Sequence, residues 1–198
     1  MRAEYHPENS GNKAKLVNEL ELLSTDLKHP NIVAFYGMCL FREARVLGLV
    51  FEFMGGGTLE NYFDSRSSEG KLHSVAVAQS VSWSLQLFGV LEFLHSKEFP
   101  IIHRDLKPSN LLLSADCKTI KVQNFGMSKT VNIGETILAD EPCNMEITTD
   151  RNLLRLPSTN RYTGTARYMA PEISTESSDY TTAADVYSAA LIMWFILE

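Results

Sequence analysis

The sequence predicts one domain that mixes α-helices with short β-strands. Apolar side chains recur at three- and four-residue steps over residues 16–27 and 74–96, as in amphipathic helices, and residues 182–197 form a more continuous apolar segment. Short apolar runs that suit strands lie between these segments. The 198 residues contain no internal repeat and no linker, and 44% of them are hydrophobic, which is enough for a single buried core.

Charge and cysteine content exclude several classes of protein. The net charge of −6, without a long basic block, argues against a nucleic-acid partner. Cys39, Cys117 and Cys143 are widely spaced, so we expect neither a disulfide framework nor a zinc site, and a reducing compartment suits them. The longest apolar run, Ala189–Leu197, has about half of the ~20 residues that a membrane span needs. The sequence therefore predicts a cytoplasmic protein without membrane or nucleic-acid partners.

The first half of the chain is predicted to contain one helix and a β-hairpin. Residues 1–15 are polar and form an N-terminal extension. Leucines spaced along Leu16–Leu27 predict a helix, which His29-Pro30 would end because the residue before a proline disfavours helical backbone. Two apolar runs, Ile32–Leu40 and Val46–Phe53, follow and predict two antiparallel strands.

The second half is predicted to be mainly helical. The longest helix covers Ser74–Ser96, where apolar residues keep helical spacing for about six turns. Three short apolar runs suit strands: Ile101–Ile102, Leu111–Leu113 and Thr119–Val122. Residues 130–150 carry acidic side chains and no Lys or Arg, so we expect a mobile loop there. The last helix, Thr182–Leu197, is apolar nearly all round, which predicts that it is packed on every side.

A polar loop between two of these strands carries the most specific motif. Residues 103–110 read His-Arg-Asp-Leu-Lys-Pro-Ser-Asn, which resembles the catalytic loop of eukaryotic protein kinases, His-Arg-Asp-Leu-x-x-x-Asn. The resemblance implies that Asp105 orients the attacking hydroxyl and accepts its proton, while Lys107 offsets charge on the transferring phosphate. It implies further that Asn110 offers an oxygen to magnesium and that Arg104 docks an activation-loop phosphate.

The second strand of the hairpin resembles the strand that leads into the kinase hinge. By this resemblance, Phe51 is the gatekeeper side chain, and the main chains of Glu52 and Met54 hydrogen-bond the adenine of ATP. Leu112 would pack beneath the adenine ring. Such side chains would be buried in almost any fold, so their nucleotide-binding role depends on the resemblance.

The first helix offers a further kinase-like carboxylate. Glu19 resembles the helix residue that holds the nucleotide-positioning lysine of the family. Glu21 is an alternative, because the spacing from Glu19 to His29 is one residue longer than is usual in kinases. A solvated carboxylate on the helix surface, without any function, is the other alternative.

Residues near the C-terminal end complete the resemblance. Gly164–Glu172 resembles the end of the activation segment, with Thr165 as a catalytic-site hydroxyl and Glu172 as a structural carboxylate. Asp185 would accept main-chain N–H bonds from the catalytic loop, which gives a buried carboxylate its partners. The side chains expected to stack as a regulatory column are Leu23, Phe35, His103, Phe125 and Asp185. Simple burial would account for the same five residues.

The sequence departs from the kinase pattern in two ways. Asn124-Phe125-Gly126 stands where the family has Asp-Phe-Gly, so Asn124, beside Asn110, is a metal ligand that has lost its negative charge. Neither a Gly-x-Gly-x-x-Gly loop nor a Val-Ala-x-Lys strand precedes Glu19, and the sequence stops within the central helix. We therefore expect an incomplete, kinase-like, two-lobed α+β fold over residues 16–198, with its activation segment at 124–172.

The resemblance implies a serine/threonine kinase that uses ATP and Mg²⁺ to phosphorylate a protein substrate. Lys107-Pro108-Ser109 and Thr165 are similar to serine/threonine kinases, and other local sequences resemble the tyrosine-kinase-like group. Asn124 supports the alternative, a catalytically impaired pseudokinase that acts as a binding or scaffolding module. A clipped domain or a naturally reduced pseudokinase would both explain the missing motifs. The chain as written is expected to transfer phosphate poorly or not at all.

Residues 130–163 are a candidate regulatory segment, because they are acidic early and basic late. Thr159, Tyr162 and Thr163 lie just before Gly164, where a phosphate could reach Arg104 and order the segment. An ordinary solvated insertion with incidental hydroxyl groups is the alternative.

Overall fold

The structure, a computed structural model, describes residues 3–4, 10–25, 27–41, 46–68, 75–131, 166–174 and 181–197. In chain order these residues form β1 (Ala3–Glu4), α1 (Ser10–Leu23), β2 (Phe35–Phe41), β3 (Val46–Phe51), β4 (Gly57–Thr58), α2 (Leu59–Ser68), α3 (Val77–His95), β5 (Ile101–Ile102), β6 (Leu111–Leu113), β7 (Ile120–Val122), β8 (Lys129–Thr130), α4 (Pro171–Ser174) and α5 (Ala183–Leu197). This mixture of helices and small antiparallel sheets agrees with the incomplete two-lobed α+β fold expected from the sequence.

The first sheet has the strand order β1-β3-β2, and its strands are antiparallel. The predicted hairpin is present, with Met38 opposite Leu49 and a bulge in β2 between Phe35 and Gly37. The third strand was not expected, because Ala3 and Glu4 lie in a polar stretch without strand periodicity, yet Ala3 pairs with Leu49.

Helix α1 begins and ends earlier than the leucine spacing predicts. It starts at Ser10, in a polar stretch that carries no apolar stripe, and it ends at Leu23. The hydroxyls of Ser24 and Thr25 donate to the carbonyls of Leu20 and Leu22, respectively. Hydroxyl groups that bond back to the chain in this way compete with further helical hydrogen bonds, so the helix stops before the predicted proline signal.

Helix α2 was missed by the sequence analysis. It begins after Thr58, whose hydroxyl oxygen accepts the Asn61 main-chain N–H at 3.0 Å as a helix N-cap. Leu59 and Phe63, four residues apart, point into the core and are 0% and 4% exposed. The capping threonine and this single apolar pair are the signal that could have predicted the helix.

Helices α3 and α5 pack against each other around the main core. Trp83 of α3 is fully buried, and its indole N–H donates to the Cys117 carbonyl at 3.0 Å. The same cluster takes in α2 and the sheet β4-β6-β7: Leu59, Phe63, Leu87, Leu94, Leu111, Ile120, Ile192 and Ile196. The catalytic-loop sequence therefore lies on a scaffold of buried helices and strands.

The expectation that α5 is packed on every side is wrong for the described residues. Ala189 and Ile192 are fully buried, but Trp194 is 68% exposed and Leu197 53% exposed. Among the described elements, α3 and the short 3₁₀ turn at residues 166–168 make the main contacts with α5. Sequence hydrophobicity reports how apolar a helix is and not how many neighbours cover it. No helix in the described part of the chain combines the length and apolar character needed to cross a membrane.

Candidate active site

The loop after β5 is fixed by a buried carboxylate from α5. Asp185, 1% exposed, accepts the main-chain N–H groups of His103 at 2.8 Å and Arg104 at 2.9 Å. His95, at the end of α3, places Nε2 3.0 Å from the Asp185 Oδ2 atom. Three donors thus satisfy one buried charge, which ties the loop to both long helices. His95 was not among the residues singled out from the sequence.

His103 is locked in one tautomer. Its Nε2 lies 3.1 Å from the Gln123 carbonyl oxygen, which can only accept, so Nε2 carries the proton. Its Nδ1 accepts the Asp105 main-chain N–H at 3.3 Å. Complete burial lowers the pKa of His103, although the nearby Asp185 carboxylate opposes this shift. The neutral ring packs edge-on against Phe125, with 5.0 Å between ring centroids.

The predicted catalytic side chains form one connected cluster. Lys107 Nζ lies 3.1 Å from Asp105 Oδ2, and Asp105 is 9% exposed. Asn110 Nδ2 donates to the Asp105 carbonyl at 2.6 Å and to Asp105 Oδ2 at 2.9 Å. Asn124 Nδ2 then donates to Asn110 Oδ1 at 3.2 Å. The cluster contains one cation, one carboxylate and two neutral amides.

Arg104 contacts the start of the predicted activation segment. Its Nε donates to the Met127 carbonyl at 2.6 Å, and its backbone has a positive φ of 64°. Ser128, beside Met127, donates its hydroxyl to the His103 carbonyl at 3.3 Å. These contacts hold the loop after β5 and the segment after Phe125 together.

Two adjacent side chains of helix α1 form hydrogen bonds with the same segment. The Glu19 Oε1 atom accepts the Phe125 main-chain N–H at 3.2 Å, and burial raises the pKa of the Glu19 carboxyl group, partly opposed by this hydrogen bond. Asn18 Nδ2 donates to the carbonyls of Phe125, Gly126 and Ser128, at 3.2, 3.2 and 2.8 Å. Glu19, rather than Glu21, therefore faces the Asn-Phe-Gly sequence. Asn18 was missed because nothing in its local sequence indicates so distant a partner.

The predicted hinge is held by an ion pair that the sequence analysis did not identify. The Glu52 Oε1 atom accepts Lys121 Nζ and the Ala34 main-chain N–H, at 2.6 and 2.7 Å. Since Phe35 pairs with Phe51, the sheet register would send the Ala34 N–H to the Glu52 main-chain carbonyl. The Glu52 side chain takes this hydrogen bond instead. The rings of Phe51 and Phe35 pack 5.4 Å apart, so Phe35 lies against the gatekeeper position.

The other predicted adenine contacts lie on neighbouring elements. The Met54 carbonyl accepts the Gly57 main-chain N–H at 3.3 Å, which turns the chain from the hinge into β4. Leu112, 4% exposed, lies on β6, where it pairs with Thr58 of β4. Glu172, the last residue of the predicted activation segment, lies in the short helix α4. Thr165 and nearly all of the predicted regulatory segment at residues 130–163 lie outside the described residues.

The residues predicted to hold magnesium do not suit that ion. Magnesium takes oxygen ligands in a strict octahedron, usually with carboxylates. Asn110 turns its oxygen toward an N–H donor of Asn124, and Asp105 supplies the one carboxylate of the cluster. The geometry therefore favours a hydrogen-bonded amide pair over a metal centre.

Comparison with known proteins identifies relatives of the whole chain. The family model for the protein kinase domain matches residues 2–198. Mitogen-activated protein kinase kinase kinase 7 of Drosophila melanogaster is 32% identical over 190 residues, covering 96% of this chain and 23% of the relative. The human protein of the same name is 32% identical over 191 residues, covering 96% of this chain and 26% of the relative.

A plant relative has a similar level of identity. Probable serine/threonine-protein kinase PBL15 of Arabidopsis thaliana is 36% identical over 171 residues, covering 86% of this chain and 34% of the relative. The chain thus spans about a quarter to a third of the length of these curated relatives. Since the family model matches nearly every residue, the chain belongs to the protein kinase domain family.

Proposed function

We propose that the chain binds ATP and carries the site that transfers its terminal phosphoryl group to a Ser or Thr hydroxyl of a protein. The observation that carries this proposal is the contact between Lys107 and Asp105 in a loop fixed by Asp185. Phosphoryl transfer depends on positioning and on charge stabilisation, and both need side chains that are already held in place. A cytoplasmic location suits an ATP-dependent enzyme with free thiols at Cys39 and Cys117.

In this proposal each side chain of the cluster has one task. Asp105 orients the substrate hydroxyl and receives its proton, since its carboxylate is fixed by the Asn110 amide. Lys107, 24% exposed, can turn its ammonium group toward the phosphate that is being transferred. His103 keeps the loop in shape, because its neutral ring bonds the main chain on both sides.

The hinge supports the ATP part of the proposal. Because the Glu52 side chain takes the Ala34 N–H, the Glu52 main-chain carbonyl is left to accept the amino group of adenine. Leu112 supplies an apolar surface on β6 next to the hinge. Phe51, backed by Phe35, would limit the depth of the adenine pocket.

A second candidate function is that of a pseudokinase, which binds partners without transferring phosphate. The hydrogen bond between Asn124 and Asn110 favours it, because an amide stands where the family has a metal-binding carboxylate. In this case the kinase fold would act as a scaffold, and Asp105 and Lys107 would only stabilise the loop.

Measurement of phosphate transfer from radiolabelled ATP to casein, in the presence of magnesium, separates the two candidates. We expect slow transfer by the wild-type chain and a rise of about tenfold or more in Asn124→Asp, since a restored charge beside the phosphates is worth several kcal/mol. The double variant Asn124→Asp with Asp105→Asn is the control and should return to background. A rate in Asn124→Asp that stays at the background of this control would favour the scaffold function.

A further inference from the structure

The amide pair of Asn124 and Asn110 has a consequence for the ligand of the site. Asn124 donates an N–H to Asn110 Oδ1 at 3.2 Å, so the two side chains satisfy each other without an ion between them. Asn110 uses its own N–H groups on Asp105. A cation that bound Asn110 Oδ1 would have to displace the Asn124 donor.

A carboxylate at position 124 would have the opposite requirement. Two acceptor oxygens at the separation seen between Asn124 and Asn110 repel each other unless a proton or a cation lies between them. An aspartate there therefore favours a cation or a proton between the two oxygens, whereas asparagine supplies the bridging proton itself. The change from acid to amide alters the ligand chemistry of the site as well as its charge.

The charge of the cluster leads to the same conclusion. Lys107 and Asp105 lie 3.1 Å apart, and their opposite charges cancel. Asn110 and Asn124 are neutral, so the net charge of the four side chains is zero. An aspartate at position 124 would make the sum −1, and a polyphosphate would then need a cation to offset the repulsion. The neutral cluster places no such condition on an anionic ligand.

We propose that this chain binds a nucleoside triphosphate as the free anion, without magnesium, through the amide pair of Asn124 and Asn110. The inference rests on the proposed nucleotide-binding function and specifies the form in which the nucleotide enters. Adenine recognition at the hinge needs no metal, because it uses neutral main-chain hydrogen bonds. The second N–H of the Asn124 amide remains to donate to a phosphate oxygen, and Asn124 is exposed to solvent.

The test is calorimetric titration of the 198-residue chain with ATP, in EDTA and in millimolar magnesium. We expect the two dissociation constants of the wild type to agree within about threefold, and those of Asn124→Asp to differ by about tenfold or more in favour of magnesium. Asn61→Asp adds the same charge at an exposed position on α2 and is the matched control, which should behave like the wild type.

Asn124→Gly provides a second variant in case the aspartate impairs folding. Glycine accepts the positive φ of 68° at this position, and it removes both the donor and the oxygen. ATP binding in EDTA should weaken by about threefold or more in this variant, because the phosphate loses a hydrogen-bond donor. Unchanged binding in EDTA would overturn the role of the amide.

The outcomes separate this inference from the proposed function. ATP binding by the wild type that appears only with magnesium would overturn the inference and leave nucleotide binding intact. If neither ATP nor adenosine binds the wild type or Asn124→Asp under either condition, the nucleotide-binding function itself is wrong, and the inference fails with it.

Discussion

At the scale of single residues, Glu19 combines burial with a hydrogen bond to a distant main-chain group. Burial raises the pKa of its carboxyl group above the ordinary value of 4.5, since the buried charge loses solvation. The folded state therefore binds this proton more tightly than the unfolded chain. Folding is favoured below the ordinary pKa and loses stability as the pH rises through the raised pKa.

The raised pKa of Glu19 predicts that Glu19→Gln stabilises the protein near neutral pH. Glutamine keeps an oxygen that can accept the Phe125 N–H and carries no charge to desolvate. The melting temperature of the variant should exceed that of the wild type at about pH 7, and the difference should shrink toward about pH 4. Glu21→Gln, on the exposed side of the same helix, is the control and should change the melting temperature little. A less stable Glu19→Gln at neutral pH would indicate that the carboxylate has a cationic partner.

At the scale of elements, Glu52 joins the hinge to β7 through Lys121 and determines where the Ala34 N–H donates. Glu52→Ala would let the Ala34 N–H turn to the Glu52 main-chain carbonyl, in competition with adenine. We expect adenosine to bind about three- to tenfold more weakly, which is the value of one hydrogen bond. Adenosine is the probe because it has no phosphate, so its binding, measured by calorimetry, does not depend on Asn124.

Two further variants make the hinge prediction specific. Glu52→Gln keeps an acceptor for the Ala34 N–H and loses only the ion pair with Lys121, so adenosine affinity should stay within about twofold of the wild type. Glu60→Ala removes an exposed carboxylate on α2 and should have no effect. Equal losses in Glu52→Ala and Glu60→Ala would show that the hinge carbonyl does not depend on the Glu52 side chain.

At the scale of the whole molecule, one core connects α2, α3, α5 and the sheet β4-β6-β7. We expect a single unfolding transition. Leu87 is 1% exposed, so Leu87→Ala should lower the free energy of unfolding by about 2–5 kcal/mol, because the lost side chain leaves a cavity. Leu85→Ala, on the same helix but 68% exposed, should stay within about 0.5 kcal/mol of the wild type. Denaturant titration monitored by the fluorescence of buried Trp83 would test both values.

The variant Trp194→Phe sharpens this measurement. Trp194 is 68% exposed and would add a signal that reports little on the core, so its removal leaves Trp83 as the one tryptophan. Two separate transitions would mean that the described elements do not unfold as one unit. If Leu85→Ala lowered the free energy of unfolding as much as Leu87→Ala does, the observed packing of α3 would be contradicted.

The parts of the fold that were predictable are those with a strong local signal. Helix α3 has long periodicity, and residues 103–110 carry a specific motif, so both were located from sequence. Helix α2 and strand β1 were missed, because Leu59 with Phe63 makes a short pattern and Ala3–Glu4 makes none. Their positions depend on the surfaces they pack against, which local sequence does not contain.

The candidate site shows the same division between local and distant information. The replacement at Asn124 is visible in the sequence, and its hydrogen bond to Asn110 is not. Asn18 and Lys121 act on partners far along the chain, so residue type alone could not single them out. The outward face of α5 was mispredicted for a related reason, since apolar composition carries no information on neighbours.

The left-handed backbone at position 124 limits the evolutionary routes open to this protein. A φ of 68° is readily adopted by glycine, asparagine and aspartate and is unfavourable for β-branched and bulky residues. Asparagine and aspartate codons differ by a single base, so point mutation can exchange the two without disturbing the turn. Most other substitutions would cost about 1–2 kcal/mol of stability in this backbone conformation. A lineage carrying this fold could therefore move between a site that needs a cation and one that does not in one genetic step, in either direction.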